Sequence, residues 1–224
     1  MRAAALTAFG AFGVLAMLAG ACTGSDGVSG HACIVFDLRN PGRCGEMQDV
    51  GGLHVVEVAS GHDATTDGNG VFRIPLPEGS SGGVLRVADN RTDRRISLVD
   101  LASAPSDNVL APVIATQLWK VYLDALHVTE DPTRATIHIA LAGQGEVVGG
   151  AGATGVAQVL YNQGDSFVWN TLPPGDQTRA VLLVNVPADT GSAMVSLTSR
   201  ADKVLFDGSV PVQAGAITWL LVEP

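Results

Sequence analysis

Charged and aromatic residues are scarce in this 224-residue sequence, at 16% and 5% of the chain. An average soluble domain carries roughly 25% charged residues. Hydrophobic residues make up 46%, which is enough to build a core and argues against wholesale disorder. The net charge is −9 and no run of Lys or Arg occurs. Because binding to phosphates needs a basic face, this composition argues against a nucleic-acid partner.

Motifs for catalysis and for metal binding are also missing. The chain has no Gly-x-Ser-x-Gly elbow, no P-loop and no HExxH. None of its five histidines stands at zinc-site spacing from a carboxylate or thiolate. His62-Asp63 is the most suggestive pair, and we expect it to be a solvated loop. The sequence therefore predicts no catalytic residue, no metal, no cofactor and no enzyme activity.

The first 21 residues have the pattern of an export signal. One positive residue, Arg2, precedes an uncharged apolar run that ends at Ala21, as in the n-region and h-region of a secretory signal. The stretch "LAGAC", Leu18–Cys22, resembles the lipobox of bacterial lipoproteins, although Ala19 stands where that family usually has Leu. The resemblance implies that the thiol of Cys22 receives a diacylglycerol, that the signal is cut before Cys22, and that the new amino group is acylated. Simple secretion and a retained membrane anchor are the alternatives.

Residues 22–30 follow as a Gly/Ser-rich segment, which predicts a flexible tether that holds the rest of the chain off the bilayer. Removing residues 1–21 removes Arg2 and no acid, so the mature charge is 12 − 22 = −10. The sorting rule known for enteric lipoproteins implies transfer to the outer membrane, because Thr23 and not Asp follows Cys22. The predicted location is the bacterial cell envelope, with the membrane as a partner through the lipid.

Two cysteines remain after Cys22. In an oxidising compartment an even pair favours a disulfide between Cys33 and Cys44. In the chain-entropy model a loop of this length is worth about 3 kcal/mol.

The stretch "TTDGNGVFRIPLPEG", Thr65–Gly79, begins like a calcium loop and continues like a strand. Asp67 and Asn69 suit the first and third ligand positions of an EF-hand. Val71 and Phe72 then stand where the loop needs a ligand and an obligatory glycine. We therefore predict a turn, with Phe72 on the buried face of the strand that follows.

Short apolar strands between Gly-rich turns indicate an antiparallel β-sandwich, and the pattern recurs. Val71–Val87 can be laid without a gap on Val181–Leu197, which places Phe72 on Leu182 and keeps the apolar alternation. We interpret this as two copies of one module. Between them, residues 117–127 have helical spacing, which predicts a short helix within a connector at 116–132 that packs between the copies.

The first copy resembles the carboxypeptidase regulatory-like domains, which are transthyretin-like β-sandwiches. The matching positions are Thr66, Asp67, Gly70, Phe72, Leu76, Pro77 and Gly79. The resemblance implies an all-β fold with two tandem transthyretin-like antiparallel β-sandwich modules, at 31–115 and 133–224, joined by the short helix. It also implies a non-catalytic module that accompanies an enzyme or belongs to a surface protein.

Three tryptophans invite a carbohydrate-stacking hypothesis. We expect Trp119 and Trp219 to be core residues. Trp169 falls in a loop that the first copy lacks, so Trp169, Asp165 and Asn170 are the candidate ligand contacts. The prediction is a structural, adhesive or assembly protein that binds an envelope protein. The alternatives are a glycan-binding surface module and an accessory domain of an envelope enzyme complex.

Overall fold

The computed structural model describes residues 27–41, 50–76, 83–90, 93–103, 108–142, 145–163, 168–172, 174 and 177–223. In these ranges the chain is built mainly of β-strands. The elements in chain order are β1 (Gly27–Ile34), β2 (His54–Glu57), β3 (Asp63–Thr65), β4 (Val71–Pro75), β5 (Val84–Ala88), β6 (Ile96–Asp100), β7 (Val109–Val113), α1 (Thr116–Ala125), β8 (Ala135–Leu141), β9 (Val148–Ala153), β10 (Gln158–Asn162), β11 (Trp169–Asn170), β12 (Ala180–Val186), β13 (Ser192–Ser199), β14 (Val204–Pro211) and β15 (Ala216–Val222).

The strands form one large central sheet and two small outer sheets. The central sheet has nine strands in the order β11-β10-β12-β8-β15-β6-β5-β2-β3. The first outer sheet has the order β4-β1-β7 and the second has the order β14-β13-β9. The predicted all-β sandwich architecture is confirmed.

Each outer sheet covers a different half of the central sheet. The first core lies between β4-β1-β7 and the β6-β5-β2 half, and is drawn from residues 28–113. The second core lies between β14-β13-β9 and the β12-β8-β15 half, and is drawn from residues 135–222. Alternation along the strands supplies these faces. On β4, for instance, Phe72 and Ile74 are buried while Val71, Arg73 and Pro75 are exposed.

The two halves repeat one strand arrangement. In the first half β1 pairs antiparallel with β4 and parallel with β7, while β2, β5 and β6 form an antiparallel set. In the second half β8 pairs antiparallel with β12 and parallel with β15, while β9, β13 and β14 form an antiparallel set. The segments aligned from the sequence therefore occupy equivalent strands, with β4 matching β12 and β5 matching β13.

The gapless alignment is nevertheless wrong in phase for the first of these strands. Phe72 faces the first core, but its aligned partner Leu182 faces away from the second core. The second core takes Val181, Leu183 and then Val186, because the strand register shifts between Val184 and Val186. Since β12 is covered on both faces, its apolar residues are continuous and do not reveal the phase.

The last strand joins the halves into one sheet. β15 pairs parallel with β8 over Ile217–Val222 and parallel with β6 over Ala216–Trp219. The indole Nε1 of Trp219 donates to the hydroxyl of buried Ser97 on β6 at 3.2 Å. The expectation that a helix is what joins the two modules is therefore incomplete, because the direct junction is a strand ladder.

The helix covers the outer face of the second half. α1 runs over Thr116–Ala125, close to the predicted 117–127, and buries Trp119 and Leu123. They pack in a third apolar cluster, the helix-side core, with Val35 from the first half and Ile217 from β15. The helix therefore contacts residues of both halves without separating them, and the predicted burial of Trp119 and Trp219, which are 1% and 5% exposed, is confirmed.

The predicted tether at 22–30 is too long. Residues 27–30 belong to β1, and Val28 is buried in the first core. Because Gly27 and Gly30 carry no side chain, the sequence pattern looks like a linker. In the strand, however, those glycines allow close approach to neighbouring backbone: a Cβ on Gly30 would lie 2.1 Å from the carbonyl oxygen of Val109.

The Trp219–Ser97 contact predicts the strength of the junction. Ser97→Ala leaves the buried indole N–H without its partner, which costs about 1–3 kcal/mol of unfolding free energy. The matched control is Ser196→Ala on the exposed face of β13, where we expect a change within about 0.5 kcal/mol. Urea unfolding measures both variants, and equal effects would contradict the assigned role of Ser97.

Candidate functional site

The Thr66–Asp67 segment begins a turn, and the side chains of both residues form hydrogen bonds with backbone groups. The Asp67 carboxylate Oδ1 accepts from the N–H groups of Asn69 and Val71, at 2.8 and 2.9 Å. The buried Thr66 hydroxyl donates to the carbonyl of Val50 and accepts from the N–H of Leu53. The predicted turn is confirmed, and Oδ1 of Asp67, which suited the first ligand position of a calcium loop, accepts from the backbone.

Gly70 is required at the end of this turn. It has φ of +80°, a left-handed conformation that side chains with a Cβ adopt at a cost. A Cβ there would lie 2.6 Å from the carbonyl oxygen of Ala32 and 2.8 Å from Cγ2 of Val50. The turn therefore packs directly on β1.

Two glycines of this turn give a matched pair for testing. Gly70→Ala combines a strained φ with a backbone clash, so we expect a loss of about 2 kcal/mol or more of unfolding free energy. Gly68→Ala meets no atom within 4 Å, and we expect a change within about 0.5 kcal/mol. Thermal unfolding compares them. Similar melting temperatures for the two variants would show that the turn does not pack as described.

Trp169 is not an exposed contact residue, so the carbohydrate-stacking hypothesis built on it is wrong. Its side chain is 6% exposed and belongs to the helix-side core. β11 pairs with β10, which turns the ring inward. Asn170 is a turn residue, because its Oδ1 accepts from the N–H of Leu172 at 2.9 Å. Asp165 lies outside the described residues.

His138 is the most perturbed titratable group of the helix-side face. It lies on β8, is 0% exposed, and its ring centroid is 4.9 Å from that of Trp219 and 6.3 Å from that of Trp169. Nε2 donates to the carbonyl oxygen of Leu38 at 2.5 Å, so Nδ1 is the unprotonated nitrogen, and it has no hydrogen-bond partner among the described residues. Burial lowers the pKa of His138 to about 4, although the bond to Leu38 and the charge of Asp37 act in the opposite direction.

This burial predicts a pH-dependent stability. The imidazole has a pKa near 6.5 when unfolded and about 4 when folded, so the unfolded chain binds more protons between these values. Stability is therefore complete above pH 6.5 and falls as the pH drops towards 4, by about 3 kcal/mol.

His138→Gln is the variant that isolates this titration from that of the carboxylates. We expect its unfolding free energy to change less than that of the wild type between pH 7 and pH 4.5. If the unfolding free energies of the two proteins depend on pH in the same way, the folded state accommodates the protonated imidazole and the assigned burial cost is contradicted.

Other polar candidates also have structural partners. The carboxylate of Asp63 contacts Nε2 of His54 at 2.9 Å across the β2–β3 pair, whereas its neighbour His62 is exposed. The carboxylate of buried Glu57 accepts from the N–H of Ser60 at 2.7 Å and from that of Ala59 at 3.2 Å. Burial acts to raise the pKa of Glu57, but hydrogen bonds from the Ser60 side chain and from backbone N–H groups outweigh it and lower the pKa.

A cavity of about 380 Å³ lies where α1 meets the first half. Its lining includes Trp119, Leu123 and Arg95. Glu130 Oε1 accepts from the Arg95 guanidinium at 2.5 Å and from the Trp119 indole at 3.3 Å. Because one carboxylate oxygen serves both donors, the arrangement ties the helix to the segment before β6 and does not present a free base.

Sequence reasoning missed His138 and the Arg95–Glu130–Trp119 group. His138 stands in the strand "ATIHIALAG", opposite in phase to Ile137 and Ile139. A polar residue inside a strand without exposed positions is the signal that could have found it. Arg95 and Glu130 are 35 positions apart, so no local pattern links them.

The lipidation and disulfide predictions lie partly beyond the described residues. Cys22 and Cys44 are outside them, and Cys33 is buried on β1. In the described part of the chain, no helix has the length and apolar character needed to cross a bilayer. Within the same part, no group of three or more His, Cys, Asp or Glu side chains is arranged for a metal.

No protein-family model matches the chain, and no curated protein matches it. Among solved structures it is similar to the shaft pilin SpaA from Lactobacillus rhamnosus GG, with 10% identity and a TM-score of 0.27 over 88% of this chain and 97% of the pilin. A double mutant of that pilin gives 9% identity and a TM-score of 0.26 over the same shares. Scores this low do not establish a shared topology, so no property of the pilin is transferred.

Proposed function

We propose that this chain is a non-catalytic, lipid-anchored protein of the bacterial cell envelope that serves as a structural or assembly component. The observation that carries the proposal is the placement of the lipobox-like "LAGAC" ending at Cys22. A double sandwich with one continuous sheet begins five residues later, at Gly27. The two repeated halves are proposed to be transthyretin-like modules, and the anchor is proposed to lie in the outer membrane.

The use of polar side chains supports a structural role. Four polar side chains form hydrogen bonds with the backbone or with a neighbouring side chain through their carboxylate or hydroxyl oxygens: Asp67, Thr66, Glu57 and Glu130. An enzyme, in contrast, keeps an acid or base directed at a substrate. These four side chains instead fix turns and join the helix to the first half.

Rigidity is what such a component would contribute. The central sheet continues from the first half into the second through β6 and β15, so the two sandwiches keep a fixed relative position. A two-core rigid body presents surfaces from both halves to one partner. We propose an envelope protein as that partner, since the one candidate aromatic for a glycan is buried.

The Cys22→Ser variant tests the anchor. In bacteria fed a labelled fatty acid, we expect the wild type to carry label and to sediment with membranes. The variant should lose the label, because the thiol that would receive the diacylglycerol is replaced by a hydroxyl.

Cys44→Ser is the control, since it removes another cysteine sulfur, and with it the predicted disulfide to Cys33, but leaves Cys22 intact. It should keep the label. Label on the Cys22→Ser variant would contradict the lipid anchor, as would a wild-type chain without label.

A further inference from the structure

The first strand begins much nearer to Cys22 than the sequence pattern suggests. Five peptide steps separate Cys22 from Gly27, and a fully extended chain advances at most about 3.6 Å per residue. Whatever path residues 23–26 take, Gly27 therefore lies within about 18 Å of Cys22. The polar layer of one leaflet is about 5–8 Å thick, so much of this reach is used before the chain leaves the headgroups.

The start of β1 cannot supply extra length. Gly27 pairs with Pro75 and Val28 with Ile74 on β4. Val28 is 3% exposed and belongs to the first core, and a Cβ on Gly27 would lie 2.7 Å from the carbonyl oxygen of Ile74. Releasing these residues would therefore expose core side chains and break the β1–β4 ladder.

We propose that the end of the first sandwich at which β1 begins is seated on the headgroup surface of the membrane that holds the lipid. This inference rests on the proposed acylation of Cys22. The surface consists of the start of β1 and the end of β4, around Gly27 and Pro75, with Arg73 next along β4. The chain is thus held on the bilayer at one end, and the opposite end of β4, at Val71, points away from it.

The exposed residues of β4 can report how far each end of the strand lies from the membrane. Val71, Arg73 and Pro75 all point to solvent, and Val71 is about 13 Å further along the strand than Pro75. The mature chain as a whole is acidic, at 12 − 22 = −10, so its net charge does not attract it to anionic lipid. The orientation of the chain on the membrane is therefore determined by the short connection between Cys22 and Gly27, which attaches to the start of β1.

The test uses the acylated full chain in vesicles of phosphatidylcholine that carry a nitroxide on the headgroup. A fluorophore is attached to Pro75→Cys in one variant and to Val71→Cys in another. Because the labels differ by about 13 Å in distance along the strand, we expect quenching about twofold or more stronger at position 75. Inserting about 20 Gly/Ser residues between Asp26 and Gly27 adds a mean reach of about 25 Å and should remove the difference.

The outcomes separate this inference from the proposed anchor. Chains that fail to float with the vesicles contradict the acylation itself, and the inference with it. Chains that float but show equal quenching at the two positions overturn the seating while leaving the anchor in place. Quenching that the insertion does not change has the same meaning. Urea unfolding of both labelled variants verifies that the β1–β4 pair is intact.

Discussion

The parallel pairing of β15 with β6 is the interaction on which the rest of the molecule depends. β15 lies between β8 and β6, so the last strand of the chain closes the second core and also extends the sheet of the first. Without it, the two sandwiches would be connected through α1 with its flanking segments and through single contacts such as the hydrogen bond from His138 to the carbonyl of Leu38. With it, the indole of Trp219 donates to the hydroxyl of Ser97, and the outer face of the second half packs against the helix in the helix-side core. Burial of His138 and of Trp169 follows from that face being covered.

The sequence contained the local elements because each has a short-range signature. The alternation of Phe72 and Ile74, the turn at Asp67 and the helical spacing around Trp119 could all be predicted, since period and turn chemistry are local properties. The repeat was also visible, but its phase was not. β12 is buried on both faces and contains a bulge at Asn185, so continuous apolar residues gave no sign of which side faces the second core.

The functional predictions failed where they depended on long-range contacts. Trp169 falls in a loop that the first copy lacks, which suggested exposure, yet its ring lies near His138 in the helix-side core. Residues 27–30 continue a Gly/Ser-rich stretch, which suggested a tether, yet they are the first residues of β1, the middle strand of the first outer sheet. In both cases a partner distant in sequence decided the outcome. That correction shortens the predicted tether to residues 22–26, because the first strand begins at Gly27.

Coincidence of unfolding between the two halves is the most direct test of this account. All three tryptophans belong to the helix-side core, so their fluorescence reports the second half and the junction, whereas far-ultraviolet circular dichroism reports the strands of both halves. In guanidinium, a soluble form without residues 1–21 and with Cys22→Ser should show one transition with the same midpoint by both probes. Two separated transitions, with fluorescence lost while part of the β signal persists, would contradict the claim that β15 makes the two sandwiches one body.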